Sequence, residues 1–136
     1  MNVIYISSCI LFKNNKILIS LRPKGKILSG FWELPGGKCF VHESFENCAV
    51  RELNEEIGVS VNIKHLNNLE IITHRYKNKF IIMMVYMLSR WSGVLKPKEN
   101  QQLIWVNRSE IKHFKFLPGS KILFNRIYEN YYKFFK

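Results

Sequence analysis

The residues of this chain best suited to chemistry lie in the segment 37–59 and are Glu43, Arg51, Glu52, Glu55 and Glu56. On a helix, positions 52, 55 and 56 are three and four residues apart, so their carboxylates share one face. Like charges at these spacings repel one another. A solvated acidic face is the usual explanation, but this chain has 21 Lys and Arg against 10 Asp and Glu and still gathers acids here. The pattern therefore predicts a ligand that neutralises the carboxylates.

A hard divalent cation would remove this repulsion. Mg²⁺ prefers oxygen ligands in octahedral geometry, is typically held by a few carboxylates, and leaves other positions to water and substrate phosphates. Carboxylates on adjacent turns of one helix supply that kind of ligand set. The segment is therefore predicted to bind Mg²⁺, with Mn²⁺ as a substitute.

The same segment predicts the elements that position these carboxylates. Apolar residues recur at helical spacing and can dock on a sheet; they are Phe45, Cys48, Ala49, Leu53 and Ile57. Ser44 suits the N-cap and Gly58 the left-handed position that ends a helix. Upstream, Pro35-Gly36-Gly37 predicts a tight turn where backbone approaches a ligand closely. We expect a strand, a glycine loop and a short helix with one acidic face and one buried face.

Strands are predicted on both sides of this helix. Residues 3–12 and 17–22 form a hairpin with asparagines in its turn. Beyond the helix, 69–72 form a strand, 73–78 a polar turn, and 79–90 a long strand near the centre of the sheet.

The last third of the chain predicts one short strand and two helices. Residues 103–106 form the strand, Asn107 caps a short helix, and a C-terminal helix runs from about 120 to 135. The apolar stripe of that last helix consists of Ile122, Leu123, Ile127, Tyr131 and Phe134. Strands, helix, strands, helix is the order of an α/β sandwich, with a mixed sheet between the acidic helix and the C-terminal helix.

The composition predicts one globular domain spanning residues 1–136. The chain is 47% hydrophobic, which is enough for a core, and no low-complexity tract marks a boundary. The N-terminal segment alternates like a strand and lacks a basic region, so we expect no signal peptide. The longest apolar run, 80–88, is too short to span a bilayer, so no membrane partner is expected.

The cysteines and the net charge set the expected compartment and partners. Cys9, Cys39 and Cys48 are odd in number and have no metal-like spacing, which predicts reduced thiols in a cytoplasmic protein. The four histidines also lack ligand spacing. A formal charge of +11 attracts polyanions, although a lysine-rich composition explains it equally well. Nucleic acid is therefore a possible partner but not a required one.

One stretch of the sequence resembles the Nudix box at every defining position. Gly37 is followed after five residues by Glu43 and after seven more by the run Arg51-Glu52-Leu53-x-Glu55-Glu56-x-Gly58-Val59. The resemblance implies an α/β/α sandwich and hydrolysis of a nucleoside diphosphate linked to another moiety. In this chemistry water attacks phosphorus while divalent cations neutralise the phosphates.

The resemblance also implies roles for the residues of the box. The metal ligands would be Glu52, Glu55, Glu56 and the carbonyl of Gly36. Arg51 and Glu43 would orient these carboxylates. The general base varies among Nudix members, so Glu52, Glu55 and Glu99 stay open, with Glu52 preferred.

Within the family the chain is most similar to the MutT-like branch, which hydrolyses oxidised purine nucleoside triphosphates such as 8-oxo-dGTP to the monophosphate. The run 22–37 has the spacing of that branch, and Glu99 lies in a loop that resembles the one supplying a further metal ligand. The substrate-binding residues carried over are Arg22, Leu34, Lys38 and Ser120. The branch commonly has Asn or Asp where this chain has Ser120, whose shorter hydroxyl has a single donor hydrogen.

Three other functions are open at this point. ADP-ribose or a dinucleoside polyphosphate is the first alternative substrate, although ADP-ribose enzymes often carry extra N-terminal strands for dimerisation. This chain begins almost at its first hairpin, so a monomer is expected. Removal of pyrophosphate from a triphosphate 5′ end of RNA is the second alternative, and the basic charge suits it. The third is a non-catalytic nucleic-acid-binding domain, which an intact box argues against.

Overall fold

The computed structural model of the chain describes residues 2–130, with side chains to residue 127. Its strands are β1 (Asn2–Lys13), β2 (Lys16–Leu21), β3 (Trp32–Glu33), β4 (Gly36–Lys38), β5 (Asn67–Tyr76), β6 (Lys79–Leu88) and β7 (Gln102–Val106). Its α-helices are α1 (Phe45–Ile57), α2 (Arg108–Ile111) and α3 (Pro118–Asn130), and a 3₁₀ turn spans Ile63–His65.

The predicted hairpin is confirmed, and its turn has the chemistry that the sequence indicated. Asn14 and Asn15 connect β1 to β2 with φ angles of 52° and 62°. Two successive residues with positive φ are what a type I′ turn requires, and its twist matches that of the strands it joins. β2 therefore leaves the turn in register with β1, with Ile17 opposite Phe12.

β1 is the strand around which the sheet is built. It pairs in parallel with β6 and antiparallel with β2 and β4, so the sheet is mixed, as predicted. The main strand order is β3-β2-β1-β6-β5, with β4 added to β1 and β7 added to β2. A parallel pair needs a long crossover, and the crossover from β1 to β6 contains α1.

Both faces of the sheet are covered, which confirms the α/β sandwich. Successive side chains of a strand point to opposite faces. Cys9 and Leu11 of β1 accordingly pack with Leu53 of α1, whereas Ile10 belongs to the cluster that contains Leu123 of α3. α1 and α3 therefore each bury an apolar stripe against one side of the sheet.

The predicted polar turn over residues 73–78 is wrong. β5 continues through Tyr76, and the turn consists of Lys77 and Asn78 alone. Thr73 and Arg75 are exposed, whereas His74 and Tyr76 are half-buried. These polar residues belong to a strand that pairs with β6 along its whole length, and their side chains point alternately to its two faces. A turn was predicted because only the polarity of the segment was considered.

The C-terminal helix is confirmed as an element but begins earlier than predicted, at Pro118. Proline suits the first helical position because it has no N–H that would need a partner there. Leu123 and Ile127 are buried, as their spacing predicted. Tyr131 and Phe134 lie outside the described residues. None of the helices within residues 2–130 has the length and apolar character needed to cross a membrane.

Candidate active site

α1 carries the acidic residues, and its sequence sets both of its ends. The hydroxyl of Ser44 accepts a hydrogen bond of 3.0 Å from the N–H of Asn47, and Gly58 ends the helix with a φ of 74°. Leu53 and Ile57 are fully buried beneath it. The predicted caps and buried face are therefore confirmed. With that face fixed, Glu52, Glu55 and Glu56 are held on the other side.

The predicted glycine turn is wrong, because Gly36–Lys38 is the strand β4, paired antiparallel with β1. Gly36 has a φ of 144°, and a Cβ there would overlap the carbonyl oxygen of Ser7. A Cβ on Gly37 would lie 2.5 Å from the Cδ of Glu52. The glycines thus allow β4 to approach β1 on one side and the Glu52 carboxylate on the other.

Arg51 is the residue that holds the carboxylates of the site in place. Its Nε and Nη2 donate to the two oxygens of Glu43 at 2.8 and 2.9 Å. Nη1 donates to Glu52 at 2.9 Å and to Glu55 at 3.1 Å, and Nη2 also donates to the carbonyl of Lys38 at 3.0 Å. Hydrogen bonding from Arg51 lowers the pKa of Glu43 to about 2. A planar guanidinium with five donors can orient several carboxylates at once.

Glu56 lies deepest among the acids of α1. Its Oε2 accepts a hydrogen bond of 2.8 Å from the N–H of Gly36. Burial raises the pKa of Glu56 to about 9. Three neighbouring carboxylates add to the rise: those of Glu52, Glu33 and Glu99. Negative charge is therefore concentrated around one buried carboxyl group.

The loop that carries Glu99 is attached to α1 through Gln101. The amide of this buried residue donates to the carbonyl of Glu56 at 2.9 Å, and its Oε1 accepts from the N–H of Glu99 at 2.8 Å. Glu99 lines a small cavity together with Glu56 and Arg22. Sequence reasoning missed Gln101, because nothing in its local sequence shows that its amide bridges two segments 45 residues apart.

Arg22 is held by an acid rather than left free. Its Nη1 forms an ion pair of 2.9 Å with Glu33, and its Nε donates to the carbonyl of Ile27 at 2.8 Å. Burial raises the pKa of Glu33 and the charge of Arg22 lowers it, and the net direction is upward. Arg22 therefore stands at the edge of the acidic cavity with its guanidinium fixed in direction.

A second, mostly apolar cavity of about 160 Å³ lies between the sheet and the start of α3. Leu34 and Ser120 both line it, so the structure brings together two of the residues predicted to bind substrate. Glu33 lines this cavity and also the acidic one, which places the two side by side. Lys38 instead lines a pocket on the far side of β4, with Tyr5 and Cys39.

The comparisons with known proteins agree with this arrangement. A model of the NUDIX domain family matches residues 8–126, which include β4, all of α1 and the Glu99 loop. The chain belongs to the Nudix hydrolase family.

Relatives of this Nudix hydrolase place it in the MutT-like branch. An 8-oxo-dGTP diphosphatase of Buchnera aphidicola (subsp. Schizaphis graminum) is 33% identical over 115 residues, which cover 84% of this chain and 85% of that protein. A CTP pyrophosphohydrolase of Escherichia coli is 28% identical over 121 residues, covering 88% and 87%. A structure of MutT, from a study of Aliivibrio salmonicida and Vibrio cholerae, has a TM-score of 0.77 at 28% identity and covers 93% of this chain and 97% of that chain.

Nudix hydrolases depend on divalent cations, and the donor set of this chain suits a hard cation. The side chains around the acidic cavity offer carboxylate oxygens, the ligands that small hard cations prefer. Burial is the main cause of the high pKa of Glu56, and the neighbouring carboxylates of Glu52, Glu33 and Glu99 add to it, so a cation placed there would lower it. Within the described residues, no three of the carboxylates of α1 and Glu99 have oxygens within 4.8 Å of one another. Instead, Arg51 donates to oxygens of Glu52 and Glu55, and the N–H of Gly36 donates to Glu56.

Sequence reasoning also missed His74. It lines the apolar cavity, and its Nδ1 is buried with no hydrogen-bond partner among the described residues. Burial lowers the pKa of the imidazole, so the ring is neutral near pH 7 and has one donor and one acceptor nitrogen. Its position on β5 was hidden by the mistaken turn over residues 73–78.

Proposed function

We propose that this Nudix hydrolase cleaves 8-oxo-dGTP to the monophosphate and pyrophosphate, with Mg²⁺ as its cofactor. The observation that carries the proposal is the position of the apolar cavity beside the acidic one, with Glu33 lining both. A nucleoside triphosphate has the same division, since an apolar ring lies at one end and a chain of phosphates at the other. The name of the Buchnera relative supports the oxidised purine as the base.

The acidic cavity and α1 supply the groups that would hold the cation. These ligands are Glu52, Glu55, Glu56, Glu99 and the carbonyl of Gly36. When bound, Mg²⁺ neutralises phosphate charge and lowers the pKa of a coordinated water. The role of the protein is to keep these oxygens in place before the substrate arrives.

Glu52 is the general base in this proposal. Its Oε1 is held at 2.9 Å by Arg51, and burial raises the pKa of its carboxyl group. A carboxylate with a raised pKa accepts a proton from water more readily at neutral pH. Glu55 is the weaker candidate, because 52% of its side chain is exposed to solvent. Arg51 and Glu43 are positioning residues.

The apolar cavity is proposed to bind the base. Its volume of about 160 Å³ is similar to that of a cavity of ~150 Å³ that accepts a benzene ring, which suits one ring of the base. Leu34 forms part of the apolar wall, and Ser120 and His74 provide polar atoms for the edge of the ring. Arg22, fixed by Glu33, is the proposed phosphate contact at the junction. For Lys38 a substrate contact stays a prediction.

A substrate panel with Mg²⁺ tests this function directly. The panel contains 8-oxo-dGTP, dGTP, CTP, ADP-ribose, a dinucleoside tetraphosphate and 5′-triphosphate RNA, with Glu55→Gln as the blank. We expect the highest kcat/KM for 8-oxo-dGTP. CTP is included because of the Escherichia coli relative and because Ser120 lacks the amide typical of purine readers. A higher kcat/KM for any other member of the panel would agree with Nudix hydrolase activity but would contradict the oxidised purine as the substrate.

We further propose that the protein is a cytoplasmic monomer that does not need nucleic acid. All three cysteines, Cys9, Cys39 and Cys48, are free thiols, which is typical of a reducing compartment. Light scattering tests the oligomeric state, and a mass of twice 16.2 kDa would contradict it.

A further inference from the structure

A second set of metal-ligating atoms lies on the opposite side of Arg51 from the acidic cavity. The sulfur atoms of Cys39 and Cys48 and a carboxylate oxygen of Glu43 all lie within 4.8 Å of one another. Cys39 directly follows β4, Glu43 lies in the loop after it, and Cys48 is in the first turn of α1. Because the spacing of 39, 43 and 48 resembles no metal motif, this cluster could not be recognised from the sequence.

The two thiols of this cluster have weak partners. The Sγ of Cys39 is 3.7 Å from the hydroxyl of Ser7. The thiol of Cys48 donates to the carbonyl of Gly37 over 3.5 Å and accepts from Nη2 of Arg51 over 3.9 Å. Contacts of this length to sulfur are weak. Neither thiol is therefore tied strongly enough to prevent it from binding a metal ion.

Glu43 retains capacity for one more partner. Its two oxygens accept three hydrogen bonds, two from Arg51 and one of 2.9 Å from the N–H of Phe40. A carboxylate has about four lone-pair sites, and the one not used by Arg51 or Phe40 is shared with the thiol of Cys48, which also hydrogen-bonds to Glu43. Glu43 can thus ligate a cation and still orient Arg51.

The cluster can be reached from solvent. Cys39 and Glu43 line an open surface pocket together with His42 and Phe40. Cys39 is half-buried, whereas Cys48 is fully buried behind it. A cation entering the pocket therefore meets Cys39 and Glu43 first and Cys48 last.

We propose that Cys39, Glu43 and Cys48 form a binding site for a thiophilic divalent cation of the Zn²⁺ type, distinct from the carboxylate site for the catalytic cation. Two thiolates, one carboxylate and a water give the four ligands that Zn²⁺ takes in tetrahedral geometry. Each thiol loses its proton to solvent as its sulfur–metal bond forms. Mg²⁺ does not compete, because it avoids sulfur ligands.

Titration with Cd²⁺ tests the site, because a cadmium–thiolate bond gives an ultraviolet charge-transfer band that carboxylate ligands do not give. The full chain is titrated without oxygen, with a phosphine reductant that keeps the thiols free and with excess Mg²⁺ on the carboxylate site. We expect one equivalent of Cd²⁺ to bind with the band intensity of two cadmium–sulfur bonds. A folded wild-type protein without the band would overturn the proposal.

Matched cysteine variants show which thiols bind. Cys39→Ala and Cys48→Ala should each weaken Cd²⁺ binding by more than about tenfold and halve the remaining band. Cys9→Ala is the control, because Cys9 is as buried as Cys48 but lies outside the cluster, and it should leave the titration unchanged. Thermal unfolding with a chelator checks each fold. If Cys48→Ala does not fold, half-buried Cys39 carries the test alone, and full binding by Cys39→Ala would overturn the site.

Discussion

At the scale of single residues, the orientation of the carboxylates in the site depends on Arg51. Arg51 contacts three carboxylates at once, and a lysine in its place would keep the charge but lose the planar fork. We expect Arg51→Lys to lower kcat with Mg²⁺ by at least about tenfold while the protein stays folded. Arg126→Lys is the control, because Arg126 pairs at the surface with Glu70 and, among the described residues, with no acid of the site. Equal kcat in the two variants would mean that Arg51 does not position the carboxylates.

We predict that the buried Nδ1 of His74 contacts the base and so determines base selectivity. This prediction rests on the proposed substrate. His74→Leu removes the polar atom and should lower the 8-oxo-dGTP to dGTP ratio of kcat/KM by about three- to tenfold, the worth of one hydrogen bond. His74→Asn places a polar atom near the position of Nδ1 and should restore most of the ratio. His113→Leu, at an exposed position, is the control. Equal ratios in the Leu and Asn variants would exclude a base contact.

Glu56 makes the cation-free protein sensitive to pH. Its pKa is about 9 in the folded protein against an ordinary value of 4.5, so between these values the native state holds a proton that the unfolded chain releases. The contribution of Glu56 to stability is therefore fully present below pH 4.5 and is lost as the pH rises through 9. With a chelator present, we expect the Tm of wild type relative to Glu56→Gln to fall steadily over this range. A constant difference would mean that the pKa of Glu56 is not raised.

At the scale of secondary-structure elements, β4 is the strand that depends most on its residue types. Gly36 has both a positive φ and no room for a Cβ, which would meet Ser7. Gly36→Ala should destabilise the protein by more than about 3 kcal/mol, because overlap adds to backbone strain. Gly25→Ala separates the two effects, because its φ is 89° but its Cβ would meet nothing within 4 Å, and it should cost about 1 kcal/mol. Denaturant unfolding measures the free energy of unfolding of both variants. Equal losses of stability would mean that the overlap of the Gly36 Cβ with Ser7 has no cost of its own.

At the scale of the whole molecule, catalysis and folding rely on different residues. The two core clusters lie on opposite faces of the sheet and consist of apolar residues, and none of the proposed cation ligands belongs to either cluster. Removing divalent cations should therefore abolish turnover while circular dichroism stays unchanged, and Mg²⁺ or Mn²⁺ should restore activity. Turnover that persists in chelator would contradict a metal-dependent mechanism. Loss of the circular dichroism signal would show that the cation also holds the fold.

The sequence by itself determined the parts of this protein that depend on neighbours along the chain. The caps at Ser44 and Gly58, the buried stripe of α1 and the Asn14-Asn15 turn follow from local backbone preferences and helical spacing, and all are present in the structure. The acidic face of α1 and its likeness to the Nudix box come from the same short segment. Family and fold were predictable for that reason.

The tertiary structure alone decided what depends on contacts between distant segments. β4 is a strand because β1 lies beside it, and β5 reaches Tyr76 because β6 pairs with it. His74 faces the apolar cavity, and Cys39 meets Cys48, only because of those pairings. Local sequence does not specify which strands will pair or in which register. It therefore cannot predict which side chains meet across the sheet.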